Sequence, residues 1–234
     1  MFTKYIAKEK DESQIDSRIV AYYDAGSTIV EQYRSIRTYI NSLKGENLAR
    51  SIVISSANRF EGKTITSINL AIVMAEERGK RVVLVNADFR FPAVEKLLNI
   101  SDSSGLSEYL QDKITLDEAL SKADIKGVTV LPSGRLPLKP AELLAGQKMK
   151  DLIEALEKRF DYVLIDTPAI IPVADVRILG SLVDGVILVV QASRTRREVV
   201  LRVQEQLNSL KARLLGVVLS NVEYHIPEYI HRHL

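Results

Sequence analysis

Six short stretches of the chain are apolar at nearly every position rather than at every second one: residues 51–56 (SIVISS), 81–88 (RVVLVNAD), 127–133 (GVTVLPS), 161–168 (DYVLIDTP), 185–191 (GVILVVQ) and 214–221 (LLGVVLSN). Continuous hydrophobicity rich in β-branched residues is what strands covered by helices on both sides show. Between them the spacing predicts helices over 65–77, 149–159 and 195–210, the last opened by Thr195-x-x-Glu198 in capping-box order. Ahead of the first run, residues 28–43 predict a helix with Ile29, Ile36, Ile40 and Leu43 as its apolar positions, and Thr28-x-x-Glu31 repeats the capping-box pattern. Strand and helix alternate throughout. The expected fold class is therefore α/β, a doubly wound and mostly parallel sheet with helices on both faces and a ligand site at the carboxyl ends of the strands. The polar first 25 or so residues predict an arm, 26–222 one domain, and 223–234 a tail beyond the last strand.

A chain of 234 residues can bury the core of one such domain. Its 32 basic and 30 acidic residues nearly cancel, which leaves no bulk field to attract a nucleic acid. There is no cysteine, so disulfides and thiolate metal sites are excluded and a reducing compartment fits. The longest apolar runs fall far short of the roughly 20 residues that span a bilayer, and no charged-then-apolar leader opens the chain, so a cytoplasmic location is expected. All three histidines, His225, His231 and His233, sit in the tail, with Glu228 between the first two and no thiol in the chain. They give no reason to expect a metal other than one that accompanies a nucleotide.

The chemistry lies where the apolar runs end. Gly62, Lys63 and Thr64 fill the last three fixed places of G-x-x-x-x-G-K-[ST], directly after one predicted strand and at the head of a predicted helix; the first place falls at Ala57. Such a loop needs backbone N–H groups aimed at a polyanion, a helix N-terminus behind them, a lysine for the outer phosphates and a hydroxyl for Mg²⁺. Two further strand ends carry polar groups: Asn86, Asp88 and Arg90 after the second run, and Asp166 after the fourth, behind four apolar residues in Walker B order. A strand-end carboxylate can reach Mg²⁺ directly or through water. One such aspartate alone would more often cap a loop, but three aligned strand ends favour a nucleotide site.

These motifs follow one another in a specific order: EQYRSIR (31–37), EGKTITSINLA (61–71), VLVNADFRFP (83–92), KPAELL (139–144), VLIDTP (163–168) and VADV (173–176). Over nearly its whole length the chain resembles the bacterial tyrosine kinases of capsule and exopolysaccharide systems, built on the deviant Walker P-loop fold of partition-type ATPases. The resemblance implies ATP or ADP held by Glu61, Gly62, Lys63, Thr64 and Ile65, with Asn221 similar to an asparagine that touches adenine. It implies Mg²⁺ among Thr64, Asp88 and Asp166, and catalysis by Lys63, Asn86, Asp88, Arg90 and Asp166, with Arg90 near the transferred phosphoryl group. It also implies a ring of subunits joined through Glu31, Arg34 and Arg37, which fan across one side of a helix, and phosphorylation of the tail tyrosines Tyr224 and Tyr229. The activating partner would be a membrane chain-length-determinant (co-polymerase) protein, which would hold this chain at the inner membrane.

Two departures sit at the chemical centre. Where the family commonly has Pro-Gly before Glu-Gly-Lys, this chain has Arg59 and Phe60. Loss of that glycine removes freedom to adopt positive φ, and Arg59 could add a cation beside the outer phosphate. Asn86 stands at the first acid of the family's D-x-D, which is thought to help activate the attacking tyrosine hydroxyl; an amide cannot take up that proton at neutral pH. If position 86 is the proton acceptor, Asn86→Asp is expected to raise transfer, and otherwise to leave it flat or lower it. The rival expectations are a nucleotide-binding regulatory module with weak or no transfer, and a partition-type ATPase.

Overall fold

The computed structural model describes residues 15–45, 48–101, 104–171 and 175–222. Seven strands form one sheet: β1 (Ser51–Ser56), β2 (Val82–Asn86), β3 (Ser121–Lys122), β4 (Val128–Leu131), β5 (Tyr162–Asp166), β6 (Gly185–Gln191) and β7 (Leu214–Ser220). Their order is β3-β4-β2-β5-β1-β6-β7, and every pairing is parallel except β3 with β4. All six apolar runs are strands of this sheet. The pair Ser121–Lys122 was not foreseen, because a two-residue, partly exposed edge strand carries no hydrophobic period to detect.

The helices are α1 (Val20–Tyr23), α2 (Thr28–Ser42), α3 (Lys63–Ala75), α4 (Val94–Leu98), α5 (Leu106–Leu110), α6 (Leu116–Ala119), α7 (Pro140–Ala145), α8 (Gln147–Arg159), α9 (Asp175–Gly180) and α10 (Arg197–Ser209). They divide between two cores, one on each face of the sheet. Ile52, Ile54, Leu84 and Leu164 pack with α1 to α4, whereas Val53, Val83, Val85, Val163 and Ile165 pack with α5 to α10. Alternate residues of each strand thus enter opposite cores, which is why the strands read as apolar on both sides. Each fully buried Val, Leu or Ile contributes roughly 1.5–3 kcal/mol.

Neither expected capping box forms. Ser27, in extended conformation, caps α2 by accepting from Val30 N at 3.3 Å. Glu31 instead pairs with Arg34. At α10 the capping position is Arg196, with no side-chain cap, and the Thr195 hydroxyl turns to Glu61 across the loop. In both cases a tertiary partner or a better-placed hydroxyl outcompetes the local pattern.

Helix α2 is clasped to the far end of α3. The Arg34 guanidinium grips Glu76 through Nε and Nη2 at 2.9 and 2.8 Å, and Arg37 Nη1 donates to Val73 O at 2.6 Å and to Glu76 at 3.2 Å. Two guanidinium groups thus neutralise the negative C-terminal end of α3, and the Arg34 charge holds the Glu76 carboxyl below its usual range. On the other side of the sheet, Gly105 lets the turn after β4 come close: a Cβ there would lie 2.2 Å from Pro132 O. Buried Glu108 fixes that turn by accepting from Gly105 N at 2.9 Å and Arg135 N at 3.1 Å.

Candidate active site

Residues 57–62 connect β1 to α3, and two left-handed residues shape the connection. Gly62, φ 88°, is the N-terminal flank of α3, while Phe60 has φ 64° and is 84% exposed. The position where the family has glycine therefore keeps the glycine-like conformation despite its side chain, so the loop is strained rather than shifted. Glu61 is buried, and its carboxylate braces the loop by accepting from Asn58 N at 2.9 Å, Asn58 Nδ2 at 3.0 Å and the Thr195 hydroxyl. The end of β7 closes the loop from outside, where Ser220 Oγ donates to Glu61 O at 2.6 Å. Asn221 follows directly, exposed and left-handed at φ 53°.

Behind the loop, the first turn of α3 meets the ends of β5 and β2. The Lys63 ammonium lies 2.9 Å from Asp88 Oδ2 and 3.3 Å from Thr64 Oγ1. Thr64 Oγ1 donates to Asp166 Oδ2 at 2.8 Å, and Ser67 Oγ, one turn further, donates to Asp166 Oδ1 at 2.9 Å. Burial alone would lower the Lys63 pKa, but Asp166 and Asp88 outweigh it and hold the pKa above the ordinary lysine value. Burial is also the main influence on Asp166, pushing its carboxyl up to about 6 against the opposing pull of the Lys63 charge and the Thr64 hydroxyl. The cluster thus sets the Asp166 and Asp88 carboxyl groups around one ammonium.

Asp88 Oδ1 accepts from the backbone N–H groups of Arg90 and Phe91 at 3.1 and 2.9 Å, which aims Oδ2 at Lys63. The expected site residues Lys63, Thr64, Asp88 and Asp166 therefore converge, with Gly62 just before α3 and Ile65 in its first turn. Arg90 is engaged elsewhere: its Nε and Nη2 meet the fully buried Asp175 at 3.1 and 3.3 Å. Asn86 lies beside Asp166 in the sheet register, but its amide is directed at Glu95. The Arg59 guanidinium stacks over the Phe91 ring at 4.2 Å. Tyr224 and Tyr229 lie outside the described residues.

A family profile described as an AAA domain matches residues 49–216. The tyrosine-protein kinase YwqD of Bacillus subtilis is 36% identical over 208 residues, covering 89% of this chain and 87% of YwqD. The chain belongs to the bacterial tyrosine-protein kinases. Among solved structures, the kinase domain of the Escherichia coli tyrosine kinase ETK superposes with a TM-score of 0.82 at 26% identity, over 94% of this chain and 86% of that one. The cell division ATPase MinD of Pyrococcus furiosus, at 23% identity and a TM-score of 0.64 over 79% and 78% of the two chains, shares the fold. The sheet and loop described above are accordingly the P-loop scaffold of a nucleotide-binding family.

Four residues of this cluster escaped the sequence reading. Ser67 was legible in principle, being three residues past Thr64 and so on the same side of α3. Asp175 lies within the VADV motif but had been given no role. Glu95 carries no sequence signal, and Thr195 matched only a local capping pattern, because their partners lie on other elements.

The strain at Phe60 is testable. Since its ring packs on little and its φ disfavours a Cβ, Phe60→Gly should melt higher than Phe60→Ala, by about 1 kcal/mol. Equal or reversed stabilities in calorimetric melts would show that the loop relaxes away from the left-handed conformation.

Proposed function

We propose that this chain is an ATP- and Mg²⁺-dependent protein-tyrosine autokinase that modifies Tyr224 and Tyr229 in the tail of a neighbouring copy and thereby controls capsule or exopolysaccharide polymerisation and export. The observation that carries this reading is the convergence of Lys63, Thr64, Asp88 and Asp166 in a chain whose relatives are named tyrosine-protein kinases. Lys63 is the mobile full charge within reach of the outer phosphates, and the N–H groups at the head of α3 favour an anion there. Thr64 Oγ1 and Asp166 Oδ2 are hard oxygen donors 2.8 Å apart, a set that suits Mg²⁺, which takes one or two protein carboxylates and keeps its waters. When bound, the metal supplies charge neutralisation at the phosphates. In the transfer the terminal phosphoryl group leaves ADP and joins the tyrosine oxygen, whose proton is released.

Glu31, Arg34 and Arg37 are proposed to join subunits into a ring. Arg34 and Arg37 already bind Glu76, so assembly through them would act on the same helix that begins at Lys63. Among the described residues no helix is long and apolar enough to cross a membrane. Recruitment to the inner membrane by a chain-length-determinant protein is proposed on the family likeness. A second reading, a nucleotide-binding regulatory module with weak transfer, draws on Asn86 at a position where the family has an acid.

Incubation with Mg-ATP separates these readings when phosphotyrosine and free phosphate are both measured. The parent should form phosphotyrosine, and Lys63→Met should lower the rate roughly 10²-fold or more. Phosphate release without phosphotyrosine would mean a hydrolase, and neither product with nucleotide still bound would mean the module.

For the ring, Glu31 is the cleanest probe, since its side chain is 62% exposed and caps nothing. Glu31→Gln should lower the mass seen by light scattering while costing the fold only one exposed ion pair, under about 1 kcal/mol. A parent that is monomeric at every concentration, with nucleotide and without, would remove the assembly proposal.

A further inference from the structure

Asn86 is buried completely at the end of β2, and its two amide ends face different groups. Nδ2 donates to both carboxylate oxygens of Glu95, at 3.0 and 2.7 Å, while Oδ1 accepts from Asp88 N at 3.2 Å. The orientation is fixed from both sides, because a flipped amide would set Oδ1 against a carboxylate and Nδ2 against an N–H. Glu95, in the first turn of α4 and only 8% exposed, also accepts from Ser133 N at 2.6 Å in the turn after β4. It therefore joins three neighbouring segments at the carboxyl edge of the sheet. An asparagine is the side chain this position requires, since it alone of the two similar shapes offers a donor to Glu95 and an acceptor to Asp88 N–H. An aspartate there would oppose a second carboxylate at hydrogen-bond distance in a buried site.

We propose that Glu95 is a positioning residue for phosphoryl transfer, and that Asn86 and Glu95 act as one acid–amide pair that holds the Asp88 backbone in place. The negative charge has moved one side chain outward, from strand to helix, and Asn86 carries its effect inward. Through Oδ1 it holds the Asp88 backbone, whose side chain in turn meets Lys63 at 2.9 Å. On this account Asn86 is half of a matched acid–amide pair rather than a site that has lost its acid, and Asn86→Asp alone is harmful. The inference rests on the kinase reading.

Three variants test it: Glu95→Gln, Asn86→Asp, and the two together. Glu95→Gln removes the charge and keeps Oε1 as the acceptor for Ser133 N–H and Asn86 Nδ2, while its NH₂ replaces the oxygen that meets Asn86 Nδ2 at 2.7 Å. It should lower kcat for phosphotyrosine formation by about tenfold or more while KM for Mg-ATP stays within about twofold, the pattern of an interaction that acts in the transition state. Asn86→Asp should melt below the parent. The double variant, with the carboxylate at 86 and the amide at 95, should recover both the melting temperature and kcat to within about threefold of the parent. Parental kcat in Glu95→Gln, or a double variant as slow as Glu95→Gln, would overturn the proposal. A silent parent beside an active double variant would overturn it while keeping the kinase reading. Silence in both, with nucleotide still bound, would remove the kinase reading and this inference with it.

Discussion

The site depends on one buried ammonium set against two carboxylates. Lys63 comes from the first turn of α3, Asp88 from the loop after β2 and Asp166 from the end of β5, so the pairing exists only when three separate elements are in register. At an effective dielectric near 20, a charge pair at contact is worth on the order of several kcal/mol before desolvation is subtracted. In a site this buried most of that offsets the cost of removing the charges from water, so the cluster specifies geometry more than it stabilises the fold. What it leaves is a cation on a flexible stem at the head of a helix.

Around that centre the remaining polar residues hold the three elements in place. Ser67 and Thr64 take one oxygen each of Asp166, backbone N–H groups orient Asp88, and Glu61 ties the phosphate loop to itself and to Thr195. Helix α3 is anchored at its other end by Arg34 and Arg37, one helix length of about 20 Å from Lys63. One helix therefore runs from the α2 surface to the phosphate loop.

Much of this was legible in the chain because parallel strands buried on both faces leave a continuous apolar signature, and because ligand groups in such sheets sit just past the strand ends. Lys63, Thr64, Asp88 and Asp166 were found that way. Caps were misread, since Thr28 and Thr195 match a local pattern that says nothing about Ser27 being better placed or Glu61 being within reach. Asn86 was read as a missing acid because its partner Glu95 lies on another element and only folding brings their side chains together. Phe60 shows the converse: a glycine-like backbone was doubtful from the residue type, yet the surrounding bonds of Glu61 and Ser220 hold the loop in that form.

The most direct measurement of the central claim is the calorimetric affinity of Mg-ATP for Lys63→Ala beside the parent, with melting curves to establish that both are folded. If Lys63 is the cation that meets the outer phosphates, the variant should bind roughly 10²-fold more weakly, a loss of about 2.7 kcal/mol. A folded Lys63→Ala protein that binds Mg-ATP as tightly as the parent would contradict the account, because the nucleotide would then be held somewhere other than the carboxyl ends of β1, β2 and β5.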